Sequence, residues 1–131
     1  MERRNYKIYA VDFDGTLCEN AWPDIGKPNH VLIQTLFKLR ANGDKLILWT
    51  CRTGDLLVKA VAWCKKQGLE FDAINENLPE MIGQFGSESR KVFADVYIDD
   101  KAVVPNFKIE ERSKGVNTYE SYLYLGESST R

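Results

Sequence analysis

Short runs of aliphatic and aromatic residues alternate along this chain with longer segments whose apolar positions recur at helical spacing. Residues 7–11, 45–49, 71–74 and 96–98 read as strands, each a brief apolar run bounded by polar or turn-forming residues. Between the first two runs the pattern predicts a helix over about residues 29–42, with Leu32, Leu36 and Leu39 on one face, Pro28 before it and Gly43 as its C-terminal cap. A second helix starts at Thr53 as N-cap and ends before Gly68; Leu57, Ala60, Val61 and Cys64 obey the i, i+3, i+4, i+7 rule and form a core stripe. This alternation predicts an α/β domain with a mainly parallel central sheet and right-handed crossovers, a fold that gathers ligands at the carboxyl ends of its strands. Residues 17–29 read as a long functional loop, and 79–86 fit either a short helix or an irregular loop.

The strand-end rule sorts the polar residues. Asp12 and Asp14 follow the first strand, Thr50-Cys51-Arg52 the second, Asn75-Glu76-Asn77 the third and Asp99-Asp100 the fourth, so all four clusters fall on one edge. Turn or capping chemistry explains each cluster taken singly, but it does not explain their joint placement. The run Asp12-Phe13-Asp14-Gly15-Thr16 carries two carboxylates one residue apart and then turns sharply, an arrangement suited to a metal and a phosphate.

Length and charge narrow the picture. With 131 residues the chain is expected to form one compact domain over residues 1–125, with 126–131 as a flexible tail. Its 18 Lys plus Arg nearly balance 19 Asp plus Glu, so the overall charge does not indicate nucleic-acid binding, although a local basic patch stays open. The three cysteines, Cys18, Cys51 and Cys64, form no spaced metal set and fit free thiols in a reducing compartment, which points to the cytoplasm. The charged start Met1-Glu2-Arg3-Arg4 is no signal-peptide apolar region, and no apolar run is long enough for a bilayer, so a soluble, unexported protein is expected. His30, the sole histidine, has no partner set for a metal site.

The stretch Val11-Asp12-Phe13-Asp14-Gly15-Thr16-Leu17 resembles motif I of the haloacid dehalogenase (HAD) superfamily in its phosphatase form. Thr50 ends a hydrophobic strand as the motif II Thr or Ser does, and Tyr97-Ile98-Asp99-Asp100 looks like the acidic motif IV. These motifs stand in the superfamily's order and cover the chain from Tyr6 to about Ala102. The resemblance implies a three-layer, Rossmann-like α/β fold and a Mg²⁺-dependent hydrolase of phosphoric monoesters.

In that family's chemistry Asp12 is the nucleophile that forms an aspartyl-phosphate, and Asp14 protonates the leaving oxygen and later deprotonates the attacking water. The implied Mg²⁺ ligands are the Asp12 carboxylate, the Asp14 backbone carbonyl and one of the late pair, Asp100 for direct ligation with Asp99 in support. Thr50 would donate its hydroxyl to a phosphoryl oxygen, helped by the backbone N–H groups that follow it, including that of Cys51. Arg52 is near enough in sequence to reach the same anion, although a surface Arg at a helix start reads equally well. For the motif III cation the choice falls on Lys91, which lies eight residues before Asp99; Arg90 and Lys101 compete for the role.

The superfamily often inserts a cap domain after motif I or between motifs II and III. Neither interval is long enough here, so the resemblance implies a small capless (C0-type) member; the loop from Cys18 to Pro28 reads either as a flap with Trp22 and Ile25 as apolar cover, or as a loop whose Trp22 packs onto the domain. An open site would accept a small phosphorylated molecule or the exposed phosphate of a macromolecule, or be closed by a second subunit, and a homo-oligomer stays open. Two other readings compete: a nucleic-acid 3′-phosphatase, disfavoured by the lack of a basic run, and a non-catalytic phosphate-binding or receiver-like domain. A receiver carries its phosphorylated Asp after the third strand, where this chain has Ile74-Asn75. The aromatic patch Tyr119, Tyr122, Leu123, Tyr124 and Leu125 is expected to pack on the domain, with dimerisation as the alternative.

Overall fold

The computed structural model describes residues 4–105 and the backbone of Leu123–Tyr124. The chain divides into two compact units, Met1–Asp100 and Lys101–Arg131. In the second unit β7 (Val104–Pro105) pairs antiparallel with β8 (Leu123–Tyr124). Tyr119, Tyr122, Leu125 and the tail at 126–131 lie outside the described residues.

The first unit is an α/β structure built on a parallel sheet. Its strands are β1 (Ile8–Val11), β4 (Lys45–Leu48), β5 (Ala73–Ile74) and β6 (Val96–Ile98), in the spatial order β5-β4-β1-β6, and every neighbouring pair runs parallel. Leu46, Ile47 and Leu48 are all fully buried, as expected of a parallel strand covered on both faces. Val11, Leu46 and Leu48 share a core with Ile33 and Leu36 of α1 (His30–Ala41) and with Ala60 and Cys64 of α2 (Gly54–Lys66). The alternate residues Ile8, Ala10 and Ile47 join a second core with Met81 of α3 (Pro79–Phe85) and with Val92 and Ala94.

The chain steps from β1 outward to β4 and β5 through α1 and α2, then returns across the sheet to place β6 on the other side of β1. The direction of travel therefore reverses between β1 and β6. In open α/β sheets a crevice forms at such a point, outside the carboxyl ends of the two strands.

Several expected elements differ in detail. The expected loop at 17–29 is a β-hairpin, β2 (Cys18–Ala21) against β3 (Asp24–Pro28), turning at Trp22-Pro23. Gly26 permits it, because a Cβ there would overlap the Glu19 backbone carbonyl. The third strand is only two residues long, and just before it the Asp72 carboxylate accepts hydrogen bonds from the Leu46 backbone N–H and Arg40. Thr53 does precede α2 in extended conformation, but its side chain makes no capping bond. Asn29 caps α1 instead of beginning it: its side chain accepts from the Leu32 N–H at 3.1 Å. The segment at 79–86 resolves as helix α3, ended by Gly86 in the left-handed region at φ 88°. Among the described residues no helix is long and apolar enough to cross a membrane.

Candidate functional site

β1 continues its pairing by one step beyond its last residue: the Asp12 N–H donates to the Ile98 carbonyl at 2.9 Å. That bond brings the residue after β1 beside the two that follow β6. Carboxylate oxygens of Asp12, Asp99 and Asp100 all lie within 4.8 Å of one another. Asp12 is half-buried and the other two are exposed. Burial pushes the Asp12 carboxyl up to about 6 against the pull of the Phe13 N–H; the charges of Asp99 and Asp100 add to the rise and a bond from Thr16 offsets part of it. That bond runs from the Thr16 hydroxyl to Asp12 Oδ2 at 3.2 Å.

The turn after Asp12 is shaped by alternation and by glycine. Phe13 continues the β1 pattern into the α1–α2 core, where its ring meets Trp63 edge-on at 5.4 Å between centroids. Gly15 follows at φ +83°, and its Cα faces the Asp100 carboxylate so closely that a Cβ would overlap Oδ2. Asn29 ties the turn to α1 by donating from Nδ2 to the Thr16 carbonyl at 3.0 Å. A cleft of ≈ 270 Å³ opens here, lined by Gly15, Thr16, Asn29, Leu32, Ile98, Asp99 and Asp100. A neighbouring cleft of ≈ 360 Å³ shares Gly15, Thr16 and Asn29 and extends to Lys27 and His30.

Asp14 belongs to a different constellation. Arg52 Nε donates to Asp14 Oδ2 and Nη2 to Asp14 Oδ1, both at 2.8 Å, the two-pronged geometry in which a guanidinium matches a carboxylate. Nη2 also donates to the Asp24 carbonyl of β3 at 3.0 Å, and Nη1 to the Leu56 carbonyl of α2 at 3.4 Å. The guanidinium carbon lies 5.1 Å from the Phe13 ring centroid and 5.0 Å from that of Trp22. Arg52 is 0% exposed, while Trp22 is 53% exposed. Hydrogen bonding to Asp14 holds the guanidinium pKa above its ordinary value despite burial. The alternative of a surface Arg at a helix start is therefore corrected: Arg52 is buried and its fork is engaged by Asp14.

Thr50 stands at the end of β4, where its backbone N–H donates to Asn75 Oδ1 at 2.8 Å and its hydroxyl oxygen accepts from the Arg52 N–H at 3.1 Å. With its oxygen accepting, the hydroxyl keeps its hydrogen for another partner. Cys51 is exposed between them. Asn75 holds φ 55°, a left-handed conformation that Asn tolerates better than most residues. Lys91 is exposed and sits on Tyr97, its ammonium 5.3 Å from the ring centroid.

The structure thus brings together Asp12, Asp99 and Asp100, and separately Asp14 with Arg52. Lys91 is grouped with Tyr97. Sequence reasoning gave Asn29 only a place in a helix and left Asn75 between capping and substrate contact. It left Asn77 between the same two roles; Asn77 is buried and spans to the segment carrying Lys91 by donating to Glu88 and accepting from the Phe93 N–H at 2.7 Å. The signal for all three was a polar amide at an element boundary, where side chains bond to backbone.

The fold and site define an α/β protein whose parallel sheet presents a carboxylate cluster at its switch point. Among solved structures, that of a conserved protein coded by a locus from Bacteroides thetaiotaomicron is similar: 39% identical, TM-score 0.68, with 89% of this chain and 97% of that chain covered. The chain belongs to the same family as that conserved protein. No family model matches the chain. No curated protein matches it either.

Proposed function

We propose that this protein is a Mg²⁺-dependent phosphatase of the HAD superfamily, a capless member that hydrolyses phosphomonoesters through an aspartyl-phosphate on Asp12. The observation that carries the reading is the meeting of Asp12 with Asp99 and Asp100 beside a glycine turn, at the crevice where α/β sheets place their ligands.

The donor set fits a hard divalent cation. Three carboxylates with oxygens this close repel one another, and Asp12, which is half-buried, also loses hydration; both effects raise its pKa, and a cation with oxygen preference relieves both costs. Asp12 and Asp100 would hold Mg²⁺ with Asp99 in support. When bound, the ion neutralises charge on the phosphoryl group and on the carboxylate that approaches it.

The remaining chemistry lies with the chain's own side chains. An Asp12 oxygen attacks phosphorus, the ester P–O bond breaks, and the proton held on Asp14 passes to the leaving oxygen to give the alcohol. Asp14 then takes a proton from water as the water oxygen attacks phosphorus, which releases inorganic phosphate and restores Asp12. Thr50 donates its hydroxyl hydrogen to a phosphoryl oxygen, and Lys91 supplies the compensating cation after turning from Tyr97. The deciding experiment is release of phosphate from p-nitrophenyl phosphate with and without Mg²⁺, in wild type and Asp12→Asn. Metal-dependent turnover lost in the variant supports the reading; equal rates in both proteins sink it.

A further inference from the structure

Arg52 is the most completely buried charged side chain among the described residues, and four hydrogen bonds from its guanidinium join three parts of the structure. Two bonds go to Asp14, one to the Asp24 carbonyl in the hairpin and one to the Leu56 carbonyl in α2. The rings of Phe13 and Trp22 lie against the guanidinium, their centroids 5.1 and 5.0 Å from its carbon. A guanidinium with four hydrogen bonds around its edge and two aromatic neighbours has little freedom left, and a carboxylate held by two parallel bonds takes its plane from the guanidinium.

We infer that Arg52 is a positioning residue, which sets the direction of the Asp14 carboxylate and ties it to the β2–β3 hairpin. The inference rests on the phosphatase reading, in which Asp14 carries the proton to the leaving oxygen. The Arg52 fork uses one lone pair on each Asp14 oxygen and leaves a second on each for another partner. The bond to Asp24 and the contact with the Trp22 ring make the hairpin part of the same clamp. A displacement of the hairpin therefore turns Asp14.

Leaving groups separate this role from general support of the fold. Nitrophenolate departs without protonation, whereas the alkoxide of glycerol phosphate needs Asp14 to deliver a proton. Arg52→Gln should lower kcat on glycerol phosphate at least tenfold more than on p-nitrophenyl phosphate, with Arg52→Lys in between. In an Asp14→Asn background the same substitution should cost nothing further, because residues acting as one unit are not additive. Trp22→Ala, at a half-exposed position whose loss leaves the core intact, should shift the same substrate ratio in the same direction by a smaller factor. Equal losses on both substrates, additive losses in the double variant, or a Trp22→Ala ratio equal to that of wild type would overturn the inference. If Arg52→Gln does not fold, the Trp22→Ala ratio decides alone. Failure of the phosphatase reading itself looks different, since wild type would then turn over neither ester.

Discussion

Asp100 rests its carboxylate against the Cα of Gly15, with no room for a Cβ between them, so the end of β6 and the turn after β1 form one surface. This contact converts a glycine that reads as ordinary turn chemistry into part of the carboxylate cluster. It also makes the cluster sensitive to a single methyl group.

Gly15→Ala should therefore damage both fold and site. The φ of +83° disfavours any L side chain, at a cost of about 1–3 kcal/mol for a strained backbone, and the added methyl displaces Asp100. Urea denaturation should show a lower midpoint with unchanged slope. The stabilisation gained on adding Mg²⁺ should also shrink; an unaltered midpoint and metal response would contradict the packing described.

Mg²⁺ should stabilise the wild-type fold by mass action, by about 2.7 kcal/mol at a hundredfold excess over its dissociation constant. The shift in thermal midpoint should reverse on chelation. In Asp12→Asn or Asp100→Asn it should fall sharply, because each removes a charged oxygen donor from the cluster. A shift of the same size in both variants would place the ion elsewhere.

Acid should unfold the protein in part through Glu80. Burial alone would raise this carboxyl, but hydrogen bonds from the Tyr6 hydroxyl and the Lys45 ammonium outweigh it and bring the pKa down to about 2 from 4.5. A folded-state pKa below the unfolded one gives stability that is fully present above pH 4.5 and is lost as pH falls toward 2. Melting temperatures measured across that window should fall less steeply for Glu80→Gln than for wild type.

Asn77→Ala should loosen the segment that bears Lys91. The side chain is buried, donates to Glu88 at 3.0 Å and to the Ser89 hydroxyl at 3.2 Å, and accepts from the Phe93 N–H. Leaving those groups unpaired costs about 1–3 kcal/mol. Amide exchange should quicken at Phe93, with much smaller changes in β1 and β4.

Local pattern carried much of the fold. The helices at 29–42 and from Thr53 were legible because their apolar stripes repeat at 3.6 residues, and β1 and β4 because each is a compact aliphatic run. The β2–β3 hairpin was not, since most of its residues are exposed and show no clean alternation, and its Trp22-Pro23 turn lacks the Asn-Gly type of signal. The candidate site divided in the same way. Asp12, Asp14, Thr50 and Asp99-Asp100 were recognisable as strand-end chemistry, but the sequence placed Asp12 and Asp14 in one constellation and left Arg52 between an anion and the surface.

By itself the sequence determined the helices and strands of the parallel sheet and the edge on which the acidic residues would meet, because periodicity and strand ends are local properties of the chain. Only the tertiary structure decided the partners. Arg52 and Asp14 are 38 residues apart, and their pairing depends on α2 and the hairpin closing around one buried guanidinium. Asp12 joins Asp99 and Asp100 because β6 pairs beside β1, on the side opposite β4. Such contacts follow from packing across the whole sheet, so no stretch of sequence states them.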